Sequence, residues 1–172
     1  MTALEDWTHS VADVPAAGLH RERSASQAER DALVRALKIP ALEALTAKYH
    51  IRALPGGGYR LSGDLQARLV QSCIVTLEPV AADIDDQFMS EFWPDPAHLD
   101  AEGEKAVLDT ADIEPLKNGV IDAGRIIFEA LSAGLDPYPR KSGVEFDWQD
   151  PAAKNLEKTS PFAVLGKLKS KE

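Results

Sequence analysis

Tyr59-Arg60-Leu61-Ser62-Gly63-Asp64-Leu65-Gln66-Ala67-Arg68-Leu69 is the stretch whose period decides the fold. Apolar or small residues take every second position from Tyr59 to Leu69, and Arg60, Ser62, Asp64, Gln66 and Arg68 take the others. A repeat of two puts alternate side chains on opposite faces of an extended chain, so the spacing predicts a strand with one buried face. The alternation resumes after Pro79, with Val80, Ala82, Ile84, Phe88 and Phe92 on one side and Ala81, Asp83, Asp85, Gln87 and Glu91 on the other. Tyr59 to Phe92 therefore reads as two long strands joined at Leu77-Glu78-Pro79. Proline has no ladder donor and is expected in the turn.

Working outward, Leu45, Ala47, Tyr49, Ile51 and Ala53 alternate with Thr46, Lys48, His50 and Arg52, which predicts a further strand. Pro55-Gly56-Gly57-Gly58 supplies the reversal that folds it onto the strand from Tyr59. The three strands predict an antiparallel meander with one apolar face packed by helices. Ser26 stands three residues before Glu29, a capping-box spacing, and Ala28, Ala32, Leu33, Ala36 and Leu37 form one helical stripe before Pro40. A helix is expected over 26–38, with Ala41 to Ala44 adding a further turn. The opening residues are expected to hold a short strand at Trp7-Thr8-His9-Ser10-Val11, then a charged connector.

Phe92-Trp93-Pro94 ends the third strand, and Asp95 to Asp112 reads as an acidic excursion with room for a short helix. Asn118-Gly119 is a turn signal. Asp122 is placed to cap a second helix carrying Ile126, Ile127, Ala130 and Leu131, which Gly134 and Pro137 terminate. The fold expected is α+β: an antiparallel meander, its closure into a partial barrel left open, packed by two to three helices. Residues 1–150 are expected to form the domain, and 151–172 a Lys-rich tail, weakly docked or flexible; the closing region 141–172 offers two anchors, Phe146-Asp147-Trp148 and Pro161-Phe162-Ala163-Val164-Leu165.

A chain of 172 residues with 44% hydrophobic and 27% charged side chains can bury one sizeable core. Residues 1–70 and 116–172 each hold nine basic and eight acidic side chains, whereas 71–115 hold one and twelve, so the middle, at -11, holds all of the acidic excess behind the net charge of -9. Such a block repels phosphate and suits a basic partner surface or a solvated face. The chain shows neither an eighteen-residue apolar run nor a basic leader followed by an apolar one, so a cytoplasmic protein without membrane insertion is expected. The lone Cys73 forbids an intrachain disulfide.

Candidate chemistry is sparse. Cys73 with His9, His20, His50 and His98 shows no zinc-ligand spacing, and neither metal nor cofactor is expected. Cys73 with His50 as base would need a register that no sequence rule supplies. Asp83, Asp85 and Glu91 share a strand face; a cation-dependent nuclease could use them, but a solvated strand face is the favoured explanation. Asp136-Pro137-Tyr138-Pro139-Arg140 is more informative, because two prolines stiffen the segment and hold Tyr138 and Arg140 in fixed relation. Such a pair can stack on a base or anchor a protein partner. Lys167, Lys169 and Lys171 are the basic tail residues best suited to touch RNA.

Three segments stand out together: Val70-Gln71-Ser72-Cys73 with Val75-Thr76-Leu77-Glu78-Pro79-Val80; Pro115-Leu116-Lys117-Asn118-Gly119-Val120-Ile121-Asp122 with Glu129 and Leu135-Asp136-Pro137-Tyr138-Pro139-Arg140; and Ser160-Pro161-Phe162-Ala163-Val164-Leu165 with Leu168-Lys169. With these segments the chain resembles the YceD-like family of bacterial and plastid proteins, named for accumulation of large-subunit ribosomal RNA. The resemblance spans residues 70–169, more than half the chain. It marks Cys73, Glu78, Pro79, Asn118, Gly119 and Asp122 as motif positions, and Glu129, Asp136, Tyr138 and Arg140 as contact candidates. Many members resemble this chain but carry a second cysteine where Thr76 stands, and Ala123 and Arg125 also depart from the family pattern, where leucine and an acidic residue are usual. What the resemblance implies is a non-enzymatic factor for accumulation or processing of large-subunit ribosomal RNA. The acidic balance favours action through a protein partner, with precursor ribosomal RNA as a second contact. The rivals are direct RNA binding through Lys48, Arg52, Arg60, Arg68 and the tail, a metal-dependent nuclease, and a structural partner unrelated to ribosomes.

Overall fold

The computed structural model describes residues 3–94 and 112–145. The chain divides after Ser142, and the architecture below is that of the first unit. Its elements run β1 (Thr8–Ser10), a 3-10 turn (Val11–Asp13), β2 (Leu19–Ser24), α1 (Gln27–Leu37), β3 (Ala41–Ala53), β4 (Tyr59–Ser72), β5 (Pro79–Trp93), β6 (Asp112–Pro115), β7 (Val120–Asp122) and α2 (Ala123–Ala133).

The alternation from Tyr59 is the backbone of the molecule. β4 pairs antiparallel with β5 from Tyr59↔Phe92 to Ser72↔Pro79, and with β3 from Ala53↔Tyr59 to Ala41↔Val70. Leu61, Leu65, Ala67 and Leu69 are buried on one face, as are Leu45, Ala47, Tyr49 and Ile51 on β3 and Ile84, Phe88 and Phe92 on β5. Leu33 of α1 and Ile126, Ile127 and Leu131 of α2 join the same apolar cluster. The opposite face carries the polar half of each alternation. The ladder spans almost the whole alternating stretch because slipping it by one residue would exchange the two faces.

The expected meander is the centre of a larger sheet, with strand order β2-β3-β4-β5-β6. β2 lies in what reads as a charged connector. It is an edge strand in which only Leu19 is buried, so it shows no apolar alternation. Ala41 to Ala44, expected as a helical turn, instead opens β3, with an irregularity in register between Leu42 and Ala44. Pairing with Leu69 and Val70 overrides the helical propensity of that segment. β6 pairs parallel to β5 at Ser90–Trp93, so the sheet is mostly rather than wholly antiparallel. It does not close into a barrel: β2 and β6 are its two edges among the described residues. Pro79 is not in the turn proper but is the first residue of β5, a position where the missing N–H is tolerated. The rest of the acidic excursion lies outside the described residues.

Both helix starts follow their sequence signals. The Ser26 and Glu29 side chains each bond the other's backbone N–H, a complete capping box. Asp122 Oδ1 accepts from Arg125 N at 2.9 Å and opens α2. Asn118 and Gly119 both take positive φ, 55° and 67°, giving the tight reversal that brings Val120 back on Lys117. The opening segment contributes more than a short strand. Leu4 and Trp7 have no exposed surface, and Trp7 Nε1 donates to Glu29 Oε1 at 2.7 Å under the Arg23 guanidinium. β1 pairs with β7 in a separate two-stranded ladder.

Gly63 faces Tyr49 across the ladder, and a Cβ there would lie 2.3 Å from the Lys48 carbonyl oxygen. Backbone cannot retreat as a flexible side chain can. Gly63→Ala is expected to lower the unfolding free energy by about 1–3 kcal/mol, read from the midpoint of urea denaturation. An unchanged midpoint would show that the two strands do not approach so closely.

Candidate functional site

Gln71 is the last buried residue of β4 before the chain leaves the sheet, and the loop 73–78 that follows meets the exit of α2. Gln71 Nε2 donates to the Asp136 carbonyl at 2.8 Å, and Asp136 N donates to Gln71 Oε1 at 3.3 Å. Ile74 N donates to the Pro139 carbonyl at 2.9 Å. Lys141 N points at Cys73 Sγ at 3.4 Å, and Lys141 Nζ pairs with Glu78 Oε2 at 3.1 Å. These bonds join residues more than sixty positions apart into one knuckle.

Each loop is also braced internally. Cys73 N donates to the Glu78 carbonyl and Leu77 N to the Cys73 carbonyl, which turns the chain back toward β5 with Leu77 at φ 61°. Asp136 Oδ1 accepts from Tyr138 N at 2.8 Å, an Asx turn that fixes the chain between the two prolines. Pro139 is buried while its neighbours Tyr138 and Arg140 are exposed. The extended segment thus turns one residue inward and presents the two flanking side chains outward.

Cys73 has no exposed surface. The Thr76 hydroxyl foremost, then the N–H groups of Lys141, Thr76 and Val75, bring its pKa down to about 6 against the upward push of desolvation. Its carboxylate neighbour Glu78 is held below its ordinary value by Lys141 and by Thr76. The exposed Glu78–Lys141 pair adds little stability by itself; its use is to tie the two loops together.

The remaining expected residues fall elsewhere. Glu129 is exposed on α2 and pairs within the helix with Arg125 Nη1 at 2.8 Å, while Arg125 Nη2 reaches Glu114 on β6 at 2.8 Å; Glu129 therefore supports the arginine that ties helix to sheet. Asn118, Gly119 and Asp122 build the turn and cap at the opposite end of α2. Lys167, Lys169 and Lys171, like the tail segment of the family resemblance, lie outside the described residues. Sequence reasoning passed over Ile74, Leu77, Gln71 and Lys141 as site residues. The run Ile74-Val75-Thr76-Leu77, mostly apolar where a turn between two strands is expected to be polar, was the available signal.

The polar sheet face separates the other candidates. Lys48 pairs with Glu22 at 3.3 Å, Arg60 with Glu91, and Arg68 stands opposite Asp83. Asp85 accepts from Gln66 at 3.4 Å. His20 and His50 are cross-strand partners whose rings stack at 3.9 Å; with Lys48 and Asp64 they line a cavity of about 850 Å³ open to solvent. No group of three metal-ligating side chains occurs among the described residues. His50 stands opposite Ser62, and at about 3.3 Å per residue along β4 this is roughly 36 Å of extended chain from Cys73, too far for a nucleophile and base. No family model, curated protein or solved structure matches the chain.

The Cys73 environment has a pH consequence. In the folded state the thiol ionises near 6, and in the unfolded chain near about 8.5. Between those values the unfolded state holds the extra proton, so stability rises with pH and is lost as pH falls through about 6. Cys73→Ala should flatten this part of the stability profile, and Thr76→Val should shift the ultraviolet thiolate absorbance to higher pH. A folded-state thiol titrating at the ordinary value would disprove the nest of donors.

Proposed function

We propose that this chain is a non-enzymatic factor in ribosome biogenesis that promotes accumulation or processing of large-subunit ribosomal RNA by binding a protein partner. One observation carries the reading. Two segments that resemble the YceD-like family, Val70 to Val80 and Leu135 to Arg140, are far apart in sequence yet bond to each other in one exposed knuckle. On such a surface one partner can meet both segments at once.

A protein contact is favoured over RNA by charge. Residues 71–115 hold twelve acidic side chains and one basic, and phosphate binding draws on clustered Lys and Arg. The basic strand residues Lys48 and Arg60 are already engaged with Glu22 and Glu91. The chemistry of the knuckle is that of recognition, with a covered thiol and exposed Tyr138 and Arg140. No reaction is assigned to it.

The chain should co-sediment with precursor large subunits, and its deletion should lower the large-to-small subunit ratio and leave large-subunit ribosomal RNA precursors unprocessed. Unaltered subunit ratios and RNA processing in a deletion strain would end this reading. Direct affinity for RNA that falls steeply with salt would replace it with the RNA-binding alternative.

A further inference from the structure

The knuckle gathers three of the large apolar side chains that the molecule leaves in solvent: Ile74 at 45% exposure, Leu77 at 78% and Tyr138 at 69%. Leu77 is also held at φ 61°, the left-handed region that disfavours an L residue with a bulky side chain. Its side chain recovers little of that cost by burial, being the most exposed of the three. Asparagine or glycine would suit the backbone better, so the apolar side chain is unexplained by the contacts of the described residues and suits a surface that is covered on binding.

We propose that Ile74, Leu77 and Tyr138 form a knob that seats in an apolar socket of a protein partner, with a carboxylate of that partner meeting Arg140. The inference rests on the reading of this chain as a ribosome-assembly factor and names the chemistry of its partner. The knob is preorganised: the backbone on both sides is pinned by the bonds from Ile74 N to Pro139, from Lys141 N to Cys73 and from Tyr138 N to Asp136. Little loop entropy then remains to be lost on binding. An apolar centre with tyrosine and arginine beside it has the composition of a binding hot spot.

Charge selects the partner's rim. Lys141 is engaged by Glu78 and the Asp136 carboxylate by Tyr138 N, while the exposed Arg140 has no carboxylate partner among the described residues. A carboxylate is therefore the complement the knuckle lacks. Two of the three anchors are aliphatic and offer no face on which a nucleobase can stack, so a protein socket fits this surface better than an unpaired RNA strand.

The test uses purified precursor large-subunit particles with the full chain and its variants. Leu77→Asn and Tyr138→Ser should each weaken co-sedimentation about tenfold or more, and Leu77→Met should retain it. Leu77→Asn should not lower the unfolding midpoint, since asparagine accepts positive φ more readily than leucine, which separates lost contact from lost fold. A photo-crosslinking amino acid in place of Leu77 should join to a protein of the particle. Wild-type binding by Leu77→Asn, or a crosslink to ribosomal RNA, would overturn the proposal. Failure of the unaltered chain to sediment with the particles would instead refute the ribosomal reading, and this partner assignment with it.

Discussion

The ladder between β4 and β5 is the constraint from which the rest of the structure follows. It runs in unbroken register from Tyr59↔Phe92 to Ser72↔Pro79, and with one face buried a slip of one residue would turn Leu61, Leu65 and Leu69 into water. A fixed register fixes both ends of the hairpin. At one end Phe92 and Trp93 lead to the β6 pairing; at the other Ser72 and Pro79 hold the loop 73–78 in place. Gly63 in the middle lets Tyr49 and the Lys48 carbonyl come close without a clash.

The knuckle is a consequence of two rigid elements ending near each other. β4 delivers Gln71 and Cys73, and α2, packed on the same core through Ile126, Ile127 and Leu131, delivers Asp136 to Lys141. Burial of the helix face decides where its last turn points. The amide of Gln71, 7% exposed, then reads the Asp136 backbone in both directions, so neither polar group is left unsatisfied. The strain at Leu77 is local to this corner and is maintained because its neighbours on both sides are bonded.

Where residues carried a local physical signal, they were legible. The Ser26/Glu29 box, the Asp122 cap and the Asn118-Gly119 reversal each depend on a few adjacent residues, and the alternation of β3, β4 and β5 depends on one buried face. The elements that were missed lack such a signal. β2 is an edge strand whose residues mostly face water, so period two is absent from Leu19–Ser24. The segment from Ala41 to Ala44 has helix-favouring residues and becomes strand only because Leu69 and Val70 lie beside it. β6 is four residues long and takes its direction from the parallel neighbour at Ser90–Trp93.

For the site, sequence alone determined the stiff Tyr138 and Arg140 segment and the lone Cys73, because prolines restrict their own backbone and a single cysteine has no partner in the chain. It also determined that the acidic excess lies in the middle of the chain. Only the tertiary structure decided that loop 73–78 and the exit of α2 are one surface, that Glu129 serves an ion pair with Arg125 instead, and that Leu77 stands in solvent. Those facts rest on contacts between residues far apart in the chain, and neither spacing nor propensity encodes which distant backbone group a buried amide or a thiol will meet.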